Sequence, residues 1–346
     1  MNEFYDSLLQ QERASVQDVA LKYGRTLNPY YEFLLSEKAV SASPYYVGLS
    51  SDMGSFTHVT KRVVLVADTI LMSDHGVGAV HELGEHEQYI STPHPDNPQL
   101  SLTDRKTWRY GMVTNDLAEL GQWLLDAEPL LRSGLVWYGP VFTTGESGGT
   151  IGMRTMPTGP LPSFSDRSID FVVEHGRAVD LARAKPLASR VVRPILEIDL
   201  PFINGLSLSD FAQVTSEEFD SYRQYRDFMR SRLLELDDAL EAVDSQVALE
   251  RVAHSIRDEL NTATAEMSRA AQSQALNRCG AVLGTTSAVL AAVRPDALQG
   301  ALTTSATIAA SVTGLWPTIQ AFADIKSKRT HGKWHYVWVL QKKAAR

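Results

Sequence analysis

The chain has 346 residues, 44% of them apolar and 21% charged, and its formal net charge is −8. This length and composition are typical of a globular protein with one large domain or two ordinary ones, and they exclude a disordered chain. The negative charge argues against a surface for general nucleic-acid binding, so no nucleic-acid partner is expected.

The cysteine content and the first residues bear on the cellular compartment. A single cysteine, Cys279, excludes an internal disulfide and fits a reducing environment. The opening MNEFYDSLLQQERAS carries acids where a signal peptide needs basic residues, and no apolar run follows. These features predict a cytoplasmic protein, with the inner face of a membrane as the alternative location.

The first 205 residues alternate between helical and strand patterns. The first 40 read as helical, because Phe4, Leu8, Val16, Val19 and Tyr23 share one helical face, and Gly24 is the expected stop. The remaining elements predicted here are a buried strand at Arg62–Met72, a polar loop at 73–106, a helix capped by Asn115 that ends at Gly134, a strand at Leu135–Phe142, a helix at Ile169–Ala184 and a strand at Ile195–Leu200. Residues 1–205 are therefore predicted to form an α/β or α+β domain, with a small, mostly buried sheet and flanking helices.

Residues 206–278 are predicted to be a long helical region. No Gly or Pro occurs from Leu206 to Cys279, and Ser207 with Asp210 and Thr215 with Glu218 fit helix-capping patterns. The apolar residues Met229, Leu233, Leu236, Leu240, Val243 and Val247 follow one another at intervals of 4, 3, 4, 3 and 4. This spacing is typical of a coiled-coil or bundle seam, in one helix or in two packed helices. The seam, which continues to Met267, predicts self-association or binding of a protein partner through 229–267.

Residues 279–325 are predicted to form an apolar helical hairpin. From Cys279 to Ala323 the only charged residues are Arg294 and Asp296, which flank Pro295. The segment 297–323 is long enough to cross a membrane, although its many Thr and Ser residues and Pro317 are unusual for a span. Two interpretations stay open: a pair of buried bundle helices, or a segment that enters a membrane.

The C-terminal residues 326–346 are basic and end in a predicted strand. Seven Lys and Arg residues and no acid follow Asp324, which indicates either a solvated tail or a surface for lipid headgroups. Trp334, Tyr336, Trp338 and Leu340 alternate with His335, Val337 and Val339. This alternation predicts a terminal strand that returns to the α/β body.

A histidine-rich segment offers potential metal ligands. Four histidines lie close together in the sequence among several acids: His75, His81, His86 and His94. Imidazole and carboxylate groups suit zinc, but HELGEH differs by one position from the metalloprotease pattern H-E-x-x-H. On a helix that shift of about 100° moves the second histidine off the shared face, so a solvated loop is favoured.

Two further patterns could carry hydrolytic chemistry. Gly145–Gly149 satisfies G-x-S-x-G around Ser147 and resembles the GDSGG of trypsin-like proteases over these five residues only. The TIGMRTMPTGP that follows contains Gly and Pro where a nucleophile elbow needs a helix, so a glycine-rich loop is favoured.

The second pattern is a set of acids at the predicted strands. Asp68, Asp74 and Asp199 could hold a divalent metal for phosphodiester cleavage, and VLVADTIL resembles the first strand of PIN-type nucleases. Structural, hydrogen-bonded aspartates are the favoured interpretation.

No catalytic residue, cofactor-binding residue or metal ligand is therefore predicted from the sequence. The favoured function is a non-enzymatic interaction or regulatory protein that uses its helical seam. The alternatives are a membrane-associated or membrane-perturbing effector that acts through 279–323, and a metal-dependent hydrolase or nuclease.

Overall fold

The computed structural model describes residues 1–94, 97–146, 159, 161–181, 184–198, 200–242, 247–248, 250–252, 254–255 and 333–344. These residues have mixed α and β content, with two small sheets and flanking helices, as the sequence predicts. The chain divides into two compact units. The first consists mainly of Met1–Phe56 and Thr69–Glu174, and the second of Thr57–Asp68, His175–Asp180 and the residues from Ala184 onward.

The elements follow one another in this order. The helices are α1 Asn2–Asp6, α2 Gln10–Arg13, α3 Val16–Leu27, α4 Tyr31–Val40, α5 Phe56–Val63, α6 Leu117–Asp126, α7 Glu128–Arg132, α8 Pro186–Glu197, α9 Pro201–Asn204, α10 Leu208–Glu217, α11 Phe219–Glu241 and α12 Lys333–Ala344. The strands are β1 Tyr46–Ser51, β2 Thr69–Asp74, β3 Ala79–His94, β4 Asn97–Thr114, β5 Val136–Tyr138, β6 Val141–Glu146, β7 Phe171–Glu174 and β8 Arg177–Asp180.

The first unit contains a parallel sheet with strand order β5-β2-β1-β7. Its strands are short and apolar, and Val47, Leu49, Ile70 and Leu71 are buried whichever face they point to. Burial on both faces is typical of parallel sheets covered by helices. The sheet therefore sits in the core, and its strands end together at one edge.

Helices α3 and α6 of this unit approach each other very closely at Gly121. A Cβ atom on Gly121 would lie 1.7 Å from the carbonyl oxygen of Val16, so only glycine fits there. Buried Val19 and Tyr23 of α3 and buried Leu120 and Leu124 of α6 belong to the same hydrophobic core.

The second sheet of this unit is antiparallel, with strand order β3-β4-β6. It occupies most of 73–106, so the predicted polar loop is wrong. The strands β3 and β4 pair from Ala79 with Thr114 to His94 with Asn97. These two strands follow each other directly, and their cross-strand pairing supports strands that the local composition, rich in His, Pro and Gly, does not indicate.

Several element predictions in the first 205 residues need correction. The predicted strand Arg62–Met72 begins only at Thr69, because Arg62 and Val63 end α5, and a turn follows. Asp116, rather than Asn115, caps α6 by accepting hydrogen bonds from the N–H groups of Ala118 and Glu119. The stretch 135–142 contains β5 and the start of β6, which belong to different sheets.

Three other expectations fail in the same region. Helix α3 continues past Gly24 to Leu27. The helix predicted at 169–184 is replaced by strands β7 and β8, which are separated by a turn at His175 and Gly176, both with positive φ. The strand predicted at Ile195–Leu200 begins inside α8, whose first residue is Pro186, a residue favoured at the first turn of a helix.

The second unit contains α8 to α12, and three leucines of the seam are buried in it. Leu233, Leu236 and Leu240 of α11 are all buried. The helical stretch breaks between α10 and α11 at Glu218, and α11 ends where Ala242 adopts an extended conformation. The later part of the seam and the whole apolar hairpin 279–325 lie outside the described residues, apart from isolated positions up to 255.

The chain end is a helix, so the predicted terminal strand is wrong. In α12 the buried residues Tyr336, Val337 and Leu340 follow helical spacing, whereas a strand would place Val337 opposite Tyr336. The Tyr336 hydroxyl lies 2.8 Å from the Thr215 hydroxyl of α10. Two groups of the basic tail pair with acids of this unit: Lys343 with Asp210 at 3.2 Å, and His335 with Glu218 at 3.2 Å.

Two cations of α5 satisfy the carbonyl ends of other helices in the second unit. The Lys61 ammonium donates to the carbonyl oxygens of Ile203, at 3.0 Å, and Leu206, at 2.7 Å. Arg62 donates in the same way to the carbonyl oxygens of Ile195 and Ile198. The carbonyl groups at the C-terminus of a helix have no N–H donor within the helix, and these two cations supply donors to them.

Candidate functional site

Buried polar side chains gather at the carboxyl edge of the parallel sheet. Strand β1 ends in Ser50 and Ser51, and the neighbouring β2 ends in Ser73 and Asp74. All four residues are buried, although the preceding residues of both strands are apolar. Ligands of parallel α/β sheets bind at this edge, beyond the last residues of the strands.

The strand register places Ser51, Asp74 and a further polar residue, Tyr138, on one face of the parallel sheet. Ser51 is paired with Asp74 across β1 and β2, and Tyr138, the last residue of β5, is paired with Met72. Met72 and Asp74 are two residues apart, so their side chains point to the same face of the sheet. Ser51, Asp74 and Tyr138 therefore share that face.

Arg167 reaches this edge from the turn that precedes β7. The turn is closed by a hydrogen bond of 3.1 Å from the Arg167 N–H to the Ser163 carbonyl oxygen. Arg167 Nη1 donates to the main-chain oxygen of Asp74 at 2.8 Å and to Ser73 Oγ at 3.2 Å. The guanidinium also stacks on the Phe164 ring, 4.6 Å from its centroid.

The Asp74 carboxyl group is only half satisfied. Its Oδ1 accepts a hydrogen bond of 2.7 Å from the Gly76 N–H, whereas its Oδ2 has no hydrogen-bond partner among the described residues. The Thr114 hydroxyl lies beside the carboxyl group and favours its ionised form. Burial raises the pKa of Asp74, and the Gly76 N–H, the Thr114 hydroxyl and Arg167 only partly oppose that rise.

Arg167 is a buried cation that has no carboxylate partner within the described ranges. It is 4% exposed, and its Nε has no hydrogen-bond partner there. Burial lowers its pKa, and the nearby Tyr31, Asp74 and Tyr138 act in the opposite direction. Burial also raises the pKa of Tyr138 far above its ordinary value and that of Tyr31 to about 12, so both phenols are neutral.

Ser50 and His75 form a hydrogen-bonded pair at the same edge. Ser50 Oγ lies 3.0 Å from His75 Nδ1 and 3.1 Å from the Asp74 main-chain oxygen. A serine next to a histidine resembles the start of a nucleophile and base arrangement. Ser50 is fully buried, however, and its hydroxyl is already used by these two groups, so the pair positions His75 rather than attacking a substrate.

We call this cluster the Asp74–Arg167 site; it comprises Ser50, Ser51, Ser73, Asp74, His75, Thr114, Tyr138 and Arg167. Five of its buried atoms have no hydrogen-bond partner among the described residues: Ser51 Oγ, Asp74 Oδ2, Thr114 Oγ1, Tyr138 OH and Arg167 Nε. Leaving one buried polar group unsatisfied costs about 1–3 kcal/mol. A polar molecule at these atoms would satisfy both donors and acceptors.

The described residues of the histidine-rich segment form no metal centre. His75 belongs to the Asp74–Arg167 site, and His81 lies in β3 with a buried Nε2. His86 and His94 are also in β3, but their side chains lie outside the described part. The described residues contain no group of three or more His, Cys, Asp or Glu that could hold a metal ion.

Of the other predicted site residues, Asp68 and Asp74 are described. Asp74 ends β2, two residues beyond the predicted end of the strand at Met72. Asp68 belongs to the second unit, where it pairs with Arg226 at 3.1 Å and Arg230 at 2.8 Å. Asp199 and Ser147 lie outside the described residues, and Gly145 is in β6.

Sequence reasoning missed most of the site. The polar Ser-Ser-Asp that directly follows the apolar YYVGL was a usable signal for a strand that ends in a functional edge. Arg167 gave no such signal, because it lies in a polar stretch, SFSDRS, between two elements. Tyr138 joins the site through the register of β2 with β5, and Thr114 is the last residue of β4 in the other sheet.

No protein-family model matches the chain, and no curated protein or solved structure matches it either. Among the described helices, none combines the length and the apolar character that a membrane crossing requires.

Proposed function

We propose that the protein is a non-enzymatic regulatory protein of the cytoplasm, whose first unit binds a small ligand with an anionic group at the Asp74–Arg167 site. The single observation that carries this proposal is the buried Arg167 guanidinium, which has no carboxylate partner among the described residues. A buried charge is costly unless an opposite charge accompanies it. A bound anion would supply that opposite charge.

The surroundings favour Arg167 over the start of α5 as the place for an anion. A helix N-terminus after the first strand often binds phosphate. Here Asp52 accepts hydrogen bonds from Ser55, and the pKa of Glu119 is raised by burial and by the nearby Asp116 and Asp52. These acids would repel an anion, which leaves Arg167 as the favourable position.

Binding fits this site better than catalysis. The hydroxyl of Ser50 is buried and already hydrogen-bonded, and Tyr138 and Tyr31 are too weakly acidic to exchange protons near neutral pH. The remaining unsatisfied atoms are donors and acceptors that recognise a ligand. A regulatory role follows if ligand binding stabilises the first unit.

The test is thermal unfolding of the full chain in sodium phosphate, sodium acetate and sodium chloride at equal ionic strength. We expect phosphate or acetate to raise the unfolding temperature of the wild type and of the control Arg177→Met, because Arg177 is 78% exposed. At an anion concentration of 100 times Kd the gain in free energy would be about 2.7 kcal/mol. Arg167→Met should lose this gain, and an equal gain in Arg167→Met would refute the proposal.

A second candidate function is self-association or partner binding through the later part of the seam. Leu233, Leu236 and Leu240 are buried in their own unit, but Val247, the next described seam residue, is 56% exposed. An exposed apolar seam position favours a contact with another chain. Sedimentation velocity of Val247→Glu would test this, since an assembly that uses the seam should dissociate.

Membrane contact through 297–323 stays a proposal, for which liposome sedimentation is the assay.

A further inference from the structure

We propose that the ligand of the Asp74–Arg167 site is a small zwitterion of the α-amino acid type, whose ammonium group binds Asp74 and whose carboxylate binds Arg167. This inference depends on the proposed anion binding and adds the second charge of the ligand. It follows from how the two charged side chains are held relative to each other.

Asp74 and Arg167 are in contact, yet they do not form an ion pair. Arg167 Nη1 donates to the main-chain oxygen of Asp74, and no salt bridge joins the guanidinium to the carboxylate. Both side chains are buried, with 2% and 4% of their surface exposed. Opposite charges attract strongly in such an environment, so direct pairing would be the ordinary arrangement. The fold instead leaves a carboxylate oxygen and the guanidinium Nε buried without a hydrogen-bond partner among the described residues.

A zwitterion satisfies both charges at once. An ammonium group has three donors, and Asp74 Oδ2, Ser51 Oγ and Tyr138 OH are unsatisfied groups able to accept them. Ser51, Asp74 and Tyr138 lie on the same face of the sheet, so they can surround one group. A ligand carboxylate would accept from Arg167 Nε, a charge-assisted hydrogen bond.

Ligands with a single charge fit less well. A simple carboxylate or phosphate would neutralise Arg167 while it faced the buried Asp74 carboxylate, and like charges at close range repel. A simple amine would neutralise Asp74, but its positive charge would lie close to the buried Arg167 guanidinium. An α-hydroxy acid carries a donor for Asp74 but no positive charge, so its bond to the carboxylate is weaker.

The experiment compares three pools of ligands on the full chain: the twenty L-α-amino acids, carboxylates of matching side chain without the amino group, and the matching α-hydroxy acids. Thermal unfolding identifies the active pool, and calorimetric titration of its best member gives Kd. We expect the amino acid pool to stabilise the wild type most. Removing the ammonium group should weaken binding about ten- to a hundredfold, the equivalent of one charged hydrogen bond.

Two variants and a control connect the effect to the two side chains. Asp74→Asn should bind the des-amino carboxylate at least as well as the wild type and lose the preference for the amino acid. Arg167→Met should bind neither. Asp18→Asn, at an exposed position of α3, should behave as the wild type. Circular dichroism of each variant confirms that it is folded before binding is compared.

The outcomes separate this inference from the proposed function. Equal stabilisation by amino acids and des-amino acids, dependent on Arg167, would refute the zwitterion and leave anion binding intact. Equal affinity for hydroxy acids would refute the ammonium contact. No Arg167-dependent stabilisation by any pool would refute both proposals.

Discussion

Lys38 and Asp170 form an ion pair inside the first unit, with 2.8 Å between Nζ and Oδ2 and side chains that are only 6% and 8% exposed. The same Oδ2 accepts a hydrogen bond of 2.7 Å from the Gly48 N–H of β1. Asp170 directly precedes β7, so one carboxylate connects α4, β1 and the start of β7. The pair therefore holds in place the part of the sheet next to the Asp74–Arg167 site.

We predict that Lys38→Met destabilises the protein by about 3–5 kcal/mol, because it leaves the Asp170 carboxylate buried without a cation. The measurement is urea unfolding at neutral pH. The double variant Lys38→Met with Asp170→Asn should recover part of the loss, since no unpaired charge then remains. A loss below about 1 kcal/mol, the ordinary value for surface pairs, would mean that solvent reaches the carboxylate.

Gly121→Ala tests the close contact between α3 and α6. Alanine favours a helix over glycine by about 1 kcal/mol, so an open position would gain stability. The added Cβ would lie 1.7 Å from the Val16 carbonyl oxygen, however, and the two helices would have to move apart. We expect a net loss of about 1–3 kcal/mol or more in the free energy of unfolding.

The matched control for this substitution is Gly205→Ala. A Cβ on Gly205 would have no atom within 4 Å. Its φ of −90° suits alanine, so this variant should be neutral or slightly stabilised. Equal effects of the two substitutions in urea unfolding would contradict the close packing of α3 on α6.

Leu236→Ala tests whether the described seam belongs to the core of the second unit. Leu236 is buried, so its truncation should cost about 2–5 kcal/mol at a protein concentration where the chain is monomeric. Val247→Ala, at an exposed seam position, should change the stability of the monomer by less than about 0.5 kcal/mol. Chemical unfolding followed by circular dichroism measures both, and a small loss for Leu236→Ala would place the seam in solvent.

The fold class was predictable where the spacing of apolar residues in the sequence matches their burial in the fold. The apolar face of Val16, Val19 and Tyr23 forms a helix, and the spacing of Leu233 and Leu236 matches their burial. The terminal segment misled, because Trp334, Tyr336, Trp338 and Leu340 alternate as in a strand. The buried residues Tyr336, Val337 and Leu340 follow helical spacing instead. The Tyr336 hydroxyl contacts the Thr215 hydroxyl of α10, and this contact favours the helix. Sequence periodicity gives no information about such a contact.

The candidate site was less predictable than the fold. Asp74 could be placed at a strand end, because an apolar run precedes it. Its relation to Arg167 depends on a turn closed by Ser163, and its relation to Tyr138 depends on the register of β2 with β5. Both are tertiary relationships between residues about 60 to 90 positions apart, and propensity and short motifs do not encode them.

The pH dependence of stability provides a test of Asp74 that needs no ligand. Burial raises the pKa of Asp74 in the folded state above its ordinary value of about 3.9 in the unfolded chain. Between these two values the folded state binds more protons than the unfolded state. The contribution of Asp74 to stability therefore falls as the pH rises through this window, and the ionised carboxylate is unfavourable at neutral pH.

Asp74→Asn removes that ionisation, while its side-chain oxygen can still accept the hydrogen bond from the Gly76 N–H. We expect the variant to be more stable than the wild type at pH 7, and the difference to shrink as the pH is lowered toward the pKa of an unfolded aspartate. Urea unfolding at intervals from pH 7 to pH 4 measures this, with Asp18→Asn as an exposed control. A variant less stable than the wild type at pH 7 would mean that the carboxylate is compensated in the folded protein, and the pKa of Asp74 would then be lowered rather than raised.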